Sequence, residues 1–445
     1  MGQTARAKKQ ILALNAFAAD GGAKLSEDVA QLVARRRRSF GATSVLFYEE
    51  PLHIVRAQGA EIFTADGRAY LDLYNNVPSV GHCNPRVVEA VSRQMGRYNT
   101  HTRYLFDEVH DYAERLLAHF PAPLTNVAFT CTGSESNDLA LRLVRGATGG
   151  TGMVVTETAY HGNTAAVTEV SPSSYRTGAL PAHVRAVPPP HPRHYGADVG
   201  KGFAAAITAA AGDMAAQGIP FAGLLVDSIF SSDGVYADPV GFLAPAYAAT
   251  RALGGLVIAD EVQPGFARTG TAMWGFARHG VVPDVVTMGK PMGNGFPMGG
   301  VVTRPDLLAR FADEFGYFNT FGGNPVASAA GLAVLDAIAE DGLMENARTV
   351  GAHIAERLNA MRALCPAIGE VRGAGLYLGV EIVAREDGAA DPAGASALIN
   401  ALREKGILIG AAGPLGHVLK VRPPLCLTLA QADRFADAME ELLSA

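Results

Sequence analysis

Between residues 126 and 303, short Val- and Ile-rich runs alternate with stretches of helical periodicity, and this alternation confines the chain to a sheet wrapped by helices. Residues 126–130 read as a strand and 135–145 as a helix with apolar residues at helical spacing. A strand is predicted at 153–156, an Ala-rich helix at 204–216, a strand at 223–227 and a helix at 243–253. The run Gly255-Leu-Val-Ile-Ala-Asp260 is the next strand, and 284–288 and 299–303 are two more. Elements at this pace imply a mostly parallel sheet, whose ligands gather at the carboxyl edge of the strands.

The strand ending at Asp260 continues into Glu261-Val262-Gln263, and Lys290 follows thirty residues after Asp260, in the turn Gly289-Lys290-Pro291-Met292-Gly293. A buried strand that ends in Asp delivers a carboxylate to the ligand edge, although taken alone such an Asp also reads as a turn former or helix cap. A separate lysine able to reach the same edge completes the pair that pyridoxal phosphate chemistry requires. The lysine forms the Schiff base and the carboxylate partners the pyridinium nitrogen.

Composition bounds the rest. A hydrophobic fraction of 49% and a charged fraction of 18% support a large core and exclude bulk disorder. The 445 residues have room for about two or three domains. We divide them into an N-terminal segment at 1–60 that belongs with the small domain, a large ligand-binding domain at 61–325 and a small α+β domain at 326–445. In the last of these, helices are predicted at 326–340, 344–365, 395–405 and 429–443. Strand-like stretches lie at 371–383, near 407 and at 418–421. The proline-rich segment 188–195 reads as an irregular surface excursion. A net charge of −6 argues against a nucleic-acid partner, and Arg35-Arg36-Arg37-Arg38 reads as a solvated or interface-facing helix end. Cys83, Cys131, Cys365 and Cys426 show no CxxC spacing, so neither a metal site nor a disulfide frame is expected. No apolar run approaches the roughly 20 residues of a membrane span. The N-terminus matches neither a signal peptide nor a myristoylation pattern, and the expected location is cytoplasmic.

Three further segments carry candidate chemistry. Thr130-Cys-Thr-Gly133-Ser134-Glu135-Ser-Asn137 follows a strand and opens a helix, which makes either an anion site or an ordinary helix cap. Tyr160-His161-Gly162 places an aromatic ring after a strand, for stacking on a planar ligand or for plain packing. Tyr317-Phe-Asn-Thr320-Phe-Gly-Gly323 could approach a phosphate closely or form a tight turn. Readings as a P-loop, a dinucleotide fingerprint or a zinc hydrolase fail on spacing.

In this order, GSESND, YHG, IADEVQ, GK and TFGGNP resemble the class III aminotransferases among the fold type I pyridoxal phosphate enzymes, over residues 40–443. The resemblance implies an α/β fold: a large domain with a mostly parallel sheet of the seven-stranded type, and a smaller C-terminal α+β domain. It implies that Lys290 is the Schiff-base lysine and that Asp260 holds the pyridinium. Gln263 is implied at the ring's phenolic oxygen, Val262 beneath the ring and Tyr160 above it. Gly133 and Ser134 are implied at the phosphate, with Thr320 reaching it from a second subunit, so the partners are a small amine and a second copy in a homodimer or tetramer. Asn76, Arg103, Lys420 and Arg422 stand as candidate substrate contacts.

Within the family the chain is most similar to the ethanolamine-phosphate phospholyase branch, through 75–85, 99–103, 258–270, 286–297 and 418–425. Two departures from many class III transaminases matter. Lys420 occupies the position, three before Pro423-Pro424, where those enzymes carry an Arg for the substrate carboxylate. Asp227-Ser-Ile-Phe230 stands where they carry Glu-Pro-x-Gln. A lysine is a point charge and lacks the planar fork that suits a carboxylate. A transaminase must bind a keto acid in each cycle and a lyase need not, so the expected activity is phospholysis of a phosphoethanolamine-like amine. The alternative is transamination of an ω-amine or amino acid.

Overall fold

The computed structural model describes residues 14–18, 25–43 and 45–444. Seven strands build the central sheet: β1 Asn126–Thr130, β2 Gly152–Thr156, β3 Val184–Val187, β4 Phe221–Asp227, β5 Leu256–Asp260, β6 Val285–Met288 and β7 Gly299–Thr303. Their spatial order is β1-β7-β6-β5-β4-β2-β3. Neighbours run parallel except at β7, which is antiparallel to both β1 and β6. The linker from β6 to β7, residues 289–298, is shorter than a parallel crossover requires, so the chain turns back on itself there. That short return is the turn that carries Lys290.

Both faces of the sheet are covered, as near-continuous apolar strands demand. Val155, Leu225 and Ile258 pack with Leu139 and Leu143 of helix Gly133–Thr148 and with Leu307 and Phe311 of helix Pro305–Glu314. Val154, Leu224 and Val257 point the other way, to Phe203 and Ile207 of helix Val199–Ala216 and Leu243 of helix Leu243–Ala252. The strands expected at 126–130 and 299–303 form with those bounds. β3 was not expected: it is a four-residue edge strand, Val-Arg-Ala-Val, too short to leave an apolar run.

Two smaller sheets flank this core. Ile54–Gln58, Glu61–Thr64 and Ala69–Asp72 pair in sequence, and the last pairs with Ile407–Leu408. Ile368–Ala374, Tyr377–Ile382, Val418–Val421 and Gly410–Ala412 form the other, so the stretch expected at 371–383 is a hairpin rather than one strand. Helices Pro325–Glu340 and Leu343–Arg362 lie where expected. The arginine run ends helix Glu27–Phe40 on an accessible surface, with Arg36 over the Phe40 ring at 4.8 Å. Among the described residues no helix is long and apolar enough to cross a membrane.

The proline-rich segment is not a free excursion. Pro189, Pro190 and His191 are buried, and the segment is tied to the hairpin 368–382 by ion pairs. Arg193 donates Nη1 to Glu381 Oε1 at 2.7 Å and Nη2 to Oε2 at 2.8 Å. His191 meets Glu370 at 3.0 Å, and His417 meets Glu381 at 3.2 Å. Burial disfavours the Glu381 charge, but the hydrogen bonds from His417 and Arg193 and the nearby Arg372 outweigh it and hold the carboxyl well below its usual range. A carboxyl depressed in the folded state adds stability above its unfolded pKa and loses it as the pH falls. Glu381→Gln is therefore expected to cost about 2 kcal/mol at neutral pH. In thermal melts its gap from the wild type should begin to narrow below about pH 4.5 and go on narrowing as the pH falls toward the depressed folded-state pKa.

Candidate active site

Strand register places Asp227, Asp260 and Thr287 side by side at the carboxyl ends of β4, β5 and β6. Asp260 is buried and collects donors from three directions. Its Oδ2 accepts from Asn137 Nδ2 at 3.0 Å and faces His161 Nδ1 at 2.7 Å, and its Oδ1 accepts from the Val262 amide at 3.1 Å. A carboxylate can only accept, so Nδ1 of His161 carries the shared proton. Asn137 is fixed in turn, donating to the His161 carbonyl at 2.8 Å and accepting from Thr287 Oγ1 at 2.7 Å. Asp227 accepts from the amides of Ile229 and Ser231 at 2.9 and 3.0 Å. Burial first, then the Asp260 charge, push its carboxyl up, although those hydrogen bonds oppose the shift.

Close backbone approach assembles the rest of the edge. A Cβ on Gly162 would lie 2.6 Å from Ser134 Oγ, and one on Gly289 would lie 2.9 Å from the Gly133 nitrogen. The Lys290 turn and the loop after β2 therefore both rest on the first turn of helix Gly133–Thr148. Thr132 caps that helix, accepting from the Glu135 amide at 3.1 Å. The expected cap thus exists, and the first-turn amides of Gly133 and Ser134 still have no partner within the helix, as an anion site requires. Val262 closes the floor, its Cγ2 2.8 Å from where a Gly133 Cβ would sit. Lys290 is partly buried. Burial and the charge of Arg422 lower its pKa to about 8, against the opposing pull of Asp260 and Asp227. Tyr160 is half-buried beside His161, and burial raises its phenol.

Gln263 stands at the centre of a second network. Its Oε1 accepts from Arg422 Nη1 at 2.6 Å, Asn76 Nδ2 at 2.9 Å and Tyr377 OH at 3.3 Å. Arg422 Nη1 also donates to Asn76 Oδ1 at 3.1 Å, and its guanidinium lies over the Tyr74 ring at 4.5 Å. Asn76 and Arg422, expected as substrate contacts, thus direct these groups at Gln263 and at each other. Lys420 differs from them. It is buried, 4% exposed, and forms no ion pair among the described residues. Burial and Arg422 push its ammonium well below the usual lysine range, with Asp227 opposing and Lys290 adding to the shift.

Two expected residues lie apart from this group. Thr320 is exposed, on a loop anchored by Asn319, which donates to Glu135 Oε2 at 2.9 Å. Arg103 is exposed, with its guanidinium 3.9 Å from the Phe318 ring. The residues missed by sequence reasoning are Asn137, His161 and Thr287, which fix Asp260, together with Tyr377 and Tyr74. The first two stand inside segments already singled out, and a polar residue at the end of each adjacent strand was the available signal for Thr287. Tyr74 and Tyr377 gave none.

The donor set suits pyridoxal phosphate: a held carboxylate, a partly buried lysine with a lowered pKa, a helix N-terminus and an amide with its N–H groups turned away from Arg422. The family description Aminotransferase class-III matches residues 47–443. The alanine–glyoxylate aminotransferase 2-like protein of Drosophila melanogaster is 38% identical over 93% of this chain and 87% of its own. The ethanolamine-phosphate phospho-lyase homolog 1 of Caenorhabditis elegans is 34% identical over 93% of each. A phospholyase from Arthrobacter, solved in complex with phosphoethanolamine, is 43% identical and superposes with a TM-score of 0.90 over 93% of this chain and 99% of its own.

The lowered Lys290 pKa has a direct readout. In cofactor-free protein, an amine-acylating reagent should label Lys290 half-maximally near pH 8, below the surface lysines. Peptide mass spectrometry across a pH series checks this, and labelling of Lys290 that tracks Lys201 would refute it.

Proposed function

We propose that this chain, which belongs to the class III aminotransferase family, is a phospholyase that converts a small phosphorylated primary amine and water into phosphate, ammonia and an aldehyde. Its cofactor is pyridoxal 5′-phosphate, which when bound supplies an electron sink for the carbon that carries the substrate nitrogen. The observation that carries the reading is Lys420: a buried lysine without an ion pair among the described residues, close enough to Lys290 and Arg422 to feel both charges. The likeness to a phospholyase solved with phosphoethanolamine supports it.

In this reading Lys290 would hold the cofactor and, as a free amine, would take the proton from the substrate carbon bearing nitrogen. A pKa near 8 keeps a useful fraction of that amine neutral at physiological pH. Asp260, braced by Asn137 and His161, would keep a proton on the ring nitrogen. Gly133 and Ser134 would hold the cofactor phosphate, and Val262 and Tyr160 would hold the ring. The C–O bond to the substrate phosphate breaks with its electron pair leaving on the phosphate. Lys420 meets that group, and the dianion restores the ammonium charge that burial disfavours. Arg103 has no role in this scheme within its own subunit.

Transamination is the second reading, favoured by the 38% identity to an alanine–glyoxylate aminotransferase 2-like protein. Against it, Lys420 stands three before Pro423-Pro424, where a point charge lacks the planar fork that suits a keto acid carboxylate. We also propose a homodimer with shared sites. Thr320 is flanked by Phe318 and Phe321, 42% and 69% exposed, and Tyr104 and Leu105 are 64% and 91% exposed. A second copy covering these side chains would remove apolar area from water and bring Thr320 to a neighbouring phosphate.

Incubating the holoenzyme with phosphoethanolamine and longer phosphorylated amines, with and without pyruvate, separates the readings. Phosphate and aldehyde release independent of pyruvate is expected; new amino acid without phosphate release would sink the phospholyase reading. Lys420→Met should lower kcat/KM for phosphate release by about 100-fold while leaving the bound-cofactor spectrum unchanged. Lys290→Ala should abolish both turnover and the visible absorption of the Lys290-linked cofactor.

A further inference from the structure

We infer that Arg422 is a positioning residue that acts through Gln263, aiming and polarising its amide. Guanidinium is a donor only, so the Gln263 atom 2.6 Å from Arg422 Nη1 must be the oxygen. Asn76 and Tyr377 donate to the same oxygen at 2.9 and 3.3 Å. With three donors on Oε1, the orientation of the amide is settled and its N–H groups face the opposite way. A charge-assisted bond at the oxygen also draws electron density from the amide nitrogen, which strengthens N–H donation on the far side. Arg422 is itself immobilised, by Asn76 Oδ1 at 3.1 Å and by the Tyr74 ring at 4.5 Å. It is buried, one residue past the strand that carries Lys420, so little solvent competes for the bond.

The inference rests on assigning Gln263 to the phenolic oxygen of the cofactor. When the Lys290-linked cofactor loses the proton shared between its nitrogen and that oxygen, negative charge concentrates on the oxygen. A donor aimed there favours the deprotonated form and lowers the pH at which the visible band changes. Removing the donor, or the charge that polarises it, should move that pH upward.

The test is a spectrophotometric pH titration of the holoenzyme without substrate. Gln263→Met and Arg422→Met should each raise the midpoint by about one unit, a tenfold change in proton affinity. Arg422→Met placed in the Gln263→Met background should add almost nothing, because its route is gone. Asn76→Ala and Tyr377→Phe should shift the midpoint in the same direction by less, and they carry the test if Arg422→Met fails to fold. An Arg422→Met shift that survives in full in the Gln263→Met background overturns the inference, since the charge would then act directly on the ring. So does an unmoved midpoint in Arg422→Met or, in its place, in both bracing variants. An unmoved midpoint in Gln263→Met overturns the assignment of Gln263 itself, which is a separate failure.

Discussion

Everything at the carboxyl edge of the sheet depends on the hydrogen bonds to Asp260. A buried carboxylate without donors would be costly. Here one donor comes from helix Gly133–Thr148, one from the loop after β2, and one from the chain's own continuation into Val262. Satisfying the charge therefore ties three separate pieces of backbone to the end of β5. Once they are tied, the approaches of Gly162 to Ser134 and of Gly289 to Gly133 follow. The Lys290 turn is placed by the same contacts, because it springs from Gly289. Asp227, one strand over in register, shows the cost of a second carboxyl at this edge: burial and Asp260 both work against its ionisation.

Much of this edge was legible in the sequence, for a physical reason. A strand that must be apolar on both faces and then turn polar announces where its carboxylate lies, and a lysine in a short glycine-rich return has few other places to go. Asp260, Lys290 and the Gly133 turn belong to such local signals. Contacts spanning the chain were not legible. Arg422 is 159 positions from Gln263 and 346 from Asn76, and no periodicity couples them. The segment 188–195 failed for the same reason: its prolines speak for irregular backbone, whereas its fate is set by Glu370 and Glu381, 179 and 188 positions away. Irregular backbone and free backbone are different properties, and only the first is local. β3 escaped because an edge strand of four residues need not be apolar throughout.

The division of labour between the sheets bears on why one fold can carry different reactions. The large sheet and its turns bring Asp260, Lys290 and the helix N-terminus to one edge, where under the proposed function an amine is activated. The residues across from them come from Val418–Val421 and the chain just beyond it. Lys420 sits on the middle strand there, and its register partners on both sides are glycines, Gly379 and Gly410. Neighbours opposite one another on an antiparallel pair share a face, so Lys420 has no side chain beside it on either strand. Tyr74 fills the Gly410 side, where a Cβ would lie 2.4 Å from its ring. The Gly234 carbonyl and the Val235 Cβ fill the other, each 3.0 Å from a Cβ on Gly379. The slot is narrow, between the Tyr74 ring and the Gly234–Val235 segment, which suits an unbranched side chain with a small charged tip better than a broad planar one. Under the proposed function, exchanging the cation in this slot would change the reaction at this strand alone, while the network around Asp260 is left intact.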